Sequence, residues 1–89
     1  IILADINQTT LMIYSREGIY QTTETLTRFQ QRISSSNFIQ VSRHAVINID
    51  HLESLSDSFS GNMTAKLTNQ IKTEVSRRYV KLLMEYLGI

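Results

Sequence analysis

Eighty-nine residues are enough for one domain and too few for two, because a chain of this size has too little interior to divide between separate cores. The chain has no cysteine, which excludes disulfides, thiolate nucleophiles and cysteine metal sites and suits a reducing cytoplasm, the expected location. A formal charge of +1 does not by itself argue for a nucleic-acid partner, so any such case must rest on where the basic residues lie.

No stretch approaches the roughly 18 uninterrupted apolar residues of a membrane span, and no secretory leader pattern opens the chain. A start at Ile1 rather than Met is what a single domain over 1–89, taken from a longer protein, would show. An upstream domain or a membrane-protein partner then lies outside the sequence.

The first third alternates short apolar runs with turn residues. Ile1 to Ile6, Thr10 to Ser15 and Ile19 to Thr23 are rich in β-branched and aromatic residues, and Asn7-Gln8-Thr9 and Arg16-Glu17-Gly18 separate them. The pattern predicts a three-stranded meander. From Thr25 to Ser35 the period changes, with Leu26, Phe29 and Ile33 three and four apart, which predicts an amphipathic helix. Thr23 or Thr25 is placed to cap it, Glu24 to complement its dipole, and Ser34-Ser35-Ser36-Asn37 to end it.

Phe38 to Val41 and Leu52 to Leu55 follow as strands, with Ala45-Val46-Ile47 as a short buried element between them. Asn48 has the character of a turn-stabilising scaffold residue, and His51 that of a surface strand residue. After the Ser/Gly/Asn-rich turn at Ser56 to Asn62, Met63 to Leu67 and Gln70 to Val75 predict a hairpin joined near Thr68-Asn69. A second helix closes the chain, with Ser76 as its cap, Val75, Tyr79, Leu82, Leu83 and Tyr86 on one face, and Gly88 as its stop. The fold class is mostly β with peripheral α.

Enzyme chemistry finds little support. His44 and His51 are seven apart with only Asp50 near them, which is not a metal-ligand spacing. No serine lies in a G-x-S-x-G elbow, and no glycine-rich loop is built to cradle phosphates. No enzyme activity, metal or cofactor is expected.

Three polar loops carry the more informative chemistry. Asn7-Gln8-Thr9-Thr10 offers amides and hydroxyls, Ser42-Arg43-His44 a hydroxyl, a guanidinium and an imidazole, and Ser76-Arg77-Arg78 two guanidiniums at a helix start, with Lys81 one turn on. Arginine is shaped for two hydrogen bonds to guanine, Asn and Gln for adenine, and helix N-terminal amides for phosphate. Polar loops and a solvated helix end would look the same, so the loops alone do not decide the function.

The stretch Phe38-Ile39-Gln40-Val41-Ser42-Arg43-His44-Ala45-Val46-Ile47-Asn48-Ile49-Asp50-His51-Leu52 resembles the signature of LytTR DNA-binding domains. A second family motif appears as Val75-Ser76-Arg77-Arg78-Tyr79, and Phe59-Ser60-Gly61-Asn62 and Leu67-Thr68-Asn69 resemble hairpin turns of the short, receiver-less members. The resemblance covers nearly the whole chain. It departs from the family at Ser42, where many members have His, and at His44, where they have Ser.

The resemblance implies an elongated arrangement of small antiparallel sheets with peripheral helices. It also implies that double-stranded DNA is bound through loops entering successive grooves, often by pairs of domains on repeated sites, in a bacterial transcription regulator. Carried over, the contact residues are Asn7, Gln8, Thr9, Thr10, Ser42, Arg43, His44, Ser76, Arg77 and Arg78, with Arg43 and Arg77 at the base-reading positions; Arg78, Lys81, Ser42 and the first loop are expected to position the backbone. Two rival readings stand beside it. One is a protein-interaction module using strand edges or the Leu82/Tyr86 helix. The other is a single-stranded RNA surface built on Tyr14 and Tyr20.

Overall fold

The alternating apolar runs of the first third pair as a meander. β1 (Leu3–Asn7), β2 (Thr10–Tyr14) and β3 (Ile19–Thr22) are antiparallel neighbours in a computed structural model that describes residues 1–33 and 37–89. The β1–β2 turn is tight: Asn7 pairs with Thr10, and Gln8 takes φ 59 without being glycine. The β2–β3 turn is closed by the Ser15 amide donating to the Gly18 carbonyl at 2.8 Å.

The first helix, α1 (Leu26–Arg32), is shorter than the periodicity predicts. Ile33 already has extended φ/ψ, and the predicted end at Ser34-Ser35-Ser36 lies outside the described residues. Thr25 is the cap, its Oγ1 accepting from the Arg28 amide at 3.1 Å. Glu24, one residue before the cap, accepts from Arg32 Nε at 2.9 Å, tying the start of the helix to its end. That hydrogen bond, and then the charge behind it, hold the Arg32 guanidinium above its ordinary pKa. Leu26 and Phe29 are buried with Ala4, Leu11 and Val46, so α1 covers one face of the sheet.

β4 (Phe38–Ser42) and β5 (Ala45–Asn48) form a hairpin, and β5 pairs with β1, giving the sheet order β3-β2-β1-β5-β4. The predicted short buried element is therefore an inner strand, with Ala45, Val46 and Ile47 fully buried. A register shift between Gln40 and Ser42 makes Val41 a bulge with no partner on β5. Asn48 behaves as expected: its Oδ1 accepts from the Asp50 amide at 3.0 Å, and its Nδ2 donates to the Ile1 carbonyl at 2.8 Å.

Through a 3₁₀ turn at Ile49–His51 the chain enters a second sheet of β6 (Leu52–Asp57), β7 (Met63–Leu67) and β8 (Ile71–Val75), in that order. His51 is not the surface strand residue expected. It sits half-buried in the turn, with Nδ1 3.0 Å from Thr68 Oγ1, and so links the entry to β6 with the β7–β8 connection.

The second helix, α2 (Arg77–Leu87), packs on β4 and ends at Gly88, whose φ of 78 lets Ile89 donate back to the Met84 carbonyl at 3.0 Å. Its inward face differs from the predicted one. Leu83 is fully buried, with Tyr79, Val80 and Leu87 packed around it, whereas Leu82 and Tyr86 are 53% and 45% exposed. The principal extents of 32 × 25 × 23 Å make the molecule modestly elongated.

The helix face can be checked by unfolding. Leu83→Ala should cost roughly 2–5 kcal/mol in urea titration, and Leu82→Ala less than about 1 kcal/mol. Equal costs would place the helix on its predicted face instead.

Candidate nucleic-acid interface

Two backbone hydrogen bonds gather the three polar loops. The bulge leaves the Val41 carbonyl off the β4–β5 ladder, and the Ser76 amide donates to it at 2.8 Å. Arg43 lies two residues past Val41 and Arg77 two past Val75, and both valines are fully buried. The β4–β5 turn and the start of α2 are thus fixed side by side. On the other flank, the Ile6 amide donates to the His44 carbonyl at 2.7 Å and anchors the β1–β2 turn next to the same hairpin.

The side chains follow. Arg43, Arg77 and Arg78 line one open concavity of about 450 Å³ with Ser60, Asn62 and Ser76. An adjoining hollow shares Asn62 and Ser76 and adds Ser42, His44 and Glu74. The next shares His44 and adds Asp5, Ile6, Asn7, Met12 and Tyr14. A last one shares Asn7 and Met12 and reaches Gln8, Thr10 and Gln21. Most of the predicted contact residues therefore lie along one continuous strip.

Among the described residues no carboxylate pairs with Arg43, Arg77 or Arg78, and the arginine concavity is lined without one. The two acids elsewhere on the strip are engaged. Asp5 Oδ1 lies 2.7 Å from His44 Nδ1, and Glu74 Oε1 accepts from Asn62 Nδ2 at 2.7 Å.

Three predicted residues sit otherwise than expected. Ser42 is only 5% exposed, and its hydroxyl accepts from the His44 amide at 3.2 Å, so it shapes the turn and is not presented as a backbone contact. Thr9 lines a hollow with Thr23, Glu24 and Leu26 on the α1 side of its turn, away from Asn7 and Thr10. Ser76 occupies the cap position of α2, but its side chain makes no capping bond. Instead Asn62 Oδ1 accepts from the Arg77 amide at 2.8 Å, so that amide is not available for phosphate. Lys81 is exposed on the next turn of α2, outside the arginine concavity.

Sequence reasoning did not find Ser60, Asn62 or Asp5. Ser60-Gly61-Asn62 carried the signal of a turn, but which helix that turn would cap depends on the pairing of β6 with β7. The RNA rival loses its platform, because Tyr14 packs against the core and leaves Tyr20 as the exposed member of the pair.

The model of the LytTr DNA-binding domain matches residues 1–88. The chain belongs to the LytTR family. It is similar to the sensory transduction protein LytR of Staphylococcus epidermidis, 32% identical over 89 residues, covering all of this chain and 35% of that protein. It is also similar to the sensory transduction protein LytT of Enterococcus faecalis, 30% identical over all of this chain and 37% of the relative. A third relative is the transcriptional regulatory protein LytR of Staphylococcus aureus, 30% identical over 77 residues, 86% of this chain and 31% of that one.

The chain thus spans about a third of the length of these relatives. A solved LytTr DNA-binding domain of a putative methyl-accepting/DNA response regulator from Bacillus cereus has the same fold, with a TM-score of 0.89 at 16% identity over all of this chain and 82% of that one. LytTR is a family of DNA-binding domains of regulators, not of enzymes, and the partner of such a domain is double-stranded DNA.

Asp5 puts a negative charge on this strip, beside His44. Asp5→Asn keeps a hydrogen-bonding partner for His44 and removes that charge. It should tighten binding to any duplex about two- to fivefold at low salt, with the gain fading as salt approaches roughly 0.15 M. Unchanged binding in gel-shift titrations across that range would mean that Asp5 does not face the DNA.

Proposed function

We propose that this domain reads double-stranded DNA sequence-specifically, Arg43 and Arg77 contacting base edges and Arg78, Lys81, His44 and Asn7, Gln8 and Thr10 of the first turn holding the backbone. The observation that carries the proposal is the convergence of Arg43, Arg77 and Arg78, from two separate chain segments, on one open concavity without a carboxylate. A guanidinium left unpaired by the protein has its five donors available for guanine O6 and N7 or for phosphate.

The molecule is 32 Å along its longest axis, close to the roughly 34 Å of one duplex turn, so the domain is large enough to reach successive grooves. At the far end of the strip, Gln8 takes φ 59, the positive φ that the two-residue turn between β1 and β2 requires. Asn7 and Gln8 there carry amides that can donate to phosphate oxygens.

By the same reading the domain is the DNA-binding part of a cytoplasmic bacterial transcription regulator and needs no cofactor. It sits in a longer chain, and two copies act on repeated sites. Among the described residues no helix is long and apolar enough to cross a membrane.

Random-site selection would give a cognate duplex. On it, Arg43→Ala and Arg77→Ala should each cost roughly 1–3 kcal/mol and shrink the advantage over random DNA. Arg78→Ala and Lys81→Ala should weaken both duplexes alike and lower the slope of log K against log salt by about 1 each. Equal losses on cognate and random DNA for the first pair would contradict base reading. A protein-docking surface is the second reading, favoured by the exposure of Leu82 and Tyr86 a turn apart on α2. Leu82→Ala serves as the control in these titrations and should change neither duplex.

A further inference from the structure

We infer that the loop between β6 and β7 is a positioning platform for Arg77, in which Gly61 and Asn62 set where that guanidinium stands. The inference rests on the reading of Arg77 as a DNA contact. A β-carbon added at Gly61 would stand 3.0 Å from Arg77 Cδ and 3.2 Å from Cγ, well inside the 3.5–4.0 Å or so at which carbon atoms attract. The aliphatic stem of Arg77 therefore lies directly on the bare backbone of Gly61. Glycine suits the position twice over, since its φ of 85 is also one that side chains disfavour.

Asn62 holds the other end of the same residue. Its Oδ1 accepts from the Arg77 amide at 2.8 Å, while its Nδ2 donates to Glu74 Oε1 at 2.7 Å, so Glu74 fixes which way the amide points. The loop is itself braced: the Ser58 amide donates to the Asn62 carbonyl at 2.9 Å, the Asn62 amide donates to the Phe59 carbonyl at 3.0 Å, and Ser60 takes φ 58. Ser60 and Asn62 also line the arginine concavity.

The consequence for binding is entropic. A long arginine that must be ordered on contact with DNA weakens the complex, and one whose root and stem are already held gives up less freedom. The platform touches neither base nor phosphate in this account. It acts through Arg77.

A double-mutant cycle on the 89-residue chain tests this, with the selected duplex and a random-sequence duplex as probes and thermal unfolding recorded for each variant. Gly61→Ala and Asn62→Ala should each lower affinity for the selected duplex about two- to tenfold, and lower it less for random DNA. In the Arg77→Ala background both effects should disappear. Asn62→Ala needs no backbone change, so it carries the test if Gly61→Ala does not fold. Losses of the same size with and without Arg77, or parent-like binding by both single variants while Arg77→Ala binds weakly, would overturn the platform. If Arg77→Ala itself binds like the parent, the assignment of Arg77 fails and the platform fails with it.

Discussion

Much of this molecule depends on one main-chain hydrogen bond, from the Ser76 amide to the Val41 carbonyl. That carbonyl is available because Val41 is the extra residue of a bulge, and bulges release a backbone group from the ladder while bending the strand. With Val41, Val75 and Leu83 fully buried about the junction, an unmade bond there would leave two polar groups desolvated, at a cost of roughly 1–3 kcal/mol each. The junction joins the five-stranded sheet to the end of the three-stranded one. It also places the two arginine-bearing turns beside each other, so that the same contact that closes the core assembles the candidate interface.

Near-neutrality and DNA binding are reconciled by partition of charge rather than by its total. The chain carries nine basic and eight acidic side chains, yet the arginine concavity is lined by three guanidiniums and no acid. The acids that do reach the strip are tied to local partners, Asp5 to His44 and Glu74 to Asn62. A domain with little net charge gains little non-specific affinity from long-range attraction, which leaves a larger share of its binding to the few side chains that can read sequence.

What the sequence made legible was local. Period two in Leu3 to Tyr14 and period three to four in Leu26 to Phe29 follow from side-chain geometry within one element, and those elements stand where the pattern puts them. The buried run Ala45 to Ile47 could be recognised as buried, but not as the strand that joins β1 to β4, because that pairing is made across some forty residues of chain. The inward face of α2 was misjudged at its flanks. Leu82 and Val80 both adjoin the stripe through Tyr79 and Leu83, and only the position of β4 decides which one is covered.

In the site, the arginines were legible because their chemistry is distinctive and the family motif places them. Asn62 was not, since an asparagine in a turn looks the same whether it caps its own turn or a helix fifteen residues on. Ser42 misled for a related reason: its hydroxyl is a plausible phosphate contact until the turn folds back and the His44 amide takes it.

On the proposed reading, one face of the molecule, running from the β1–β2 turn past the β4–β5 turn to the start of α2, meets the DNA. Amide chemical-shift mapping of the domain titrated with its selected duplex tests this most directly. The largest shifts should fall at Asn7 to Thr10, Arg43 and His44, Ser60 to Asn62, and Ser76 to Lys81, with little change at Ile19 to Gln21 on β3 or at Tyr86. Shifts concentrated on β3 or on the exposed side of α2, with the arginine loops silent, would contradict the account.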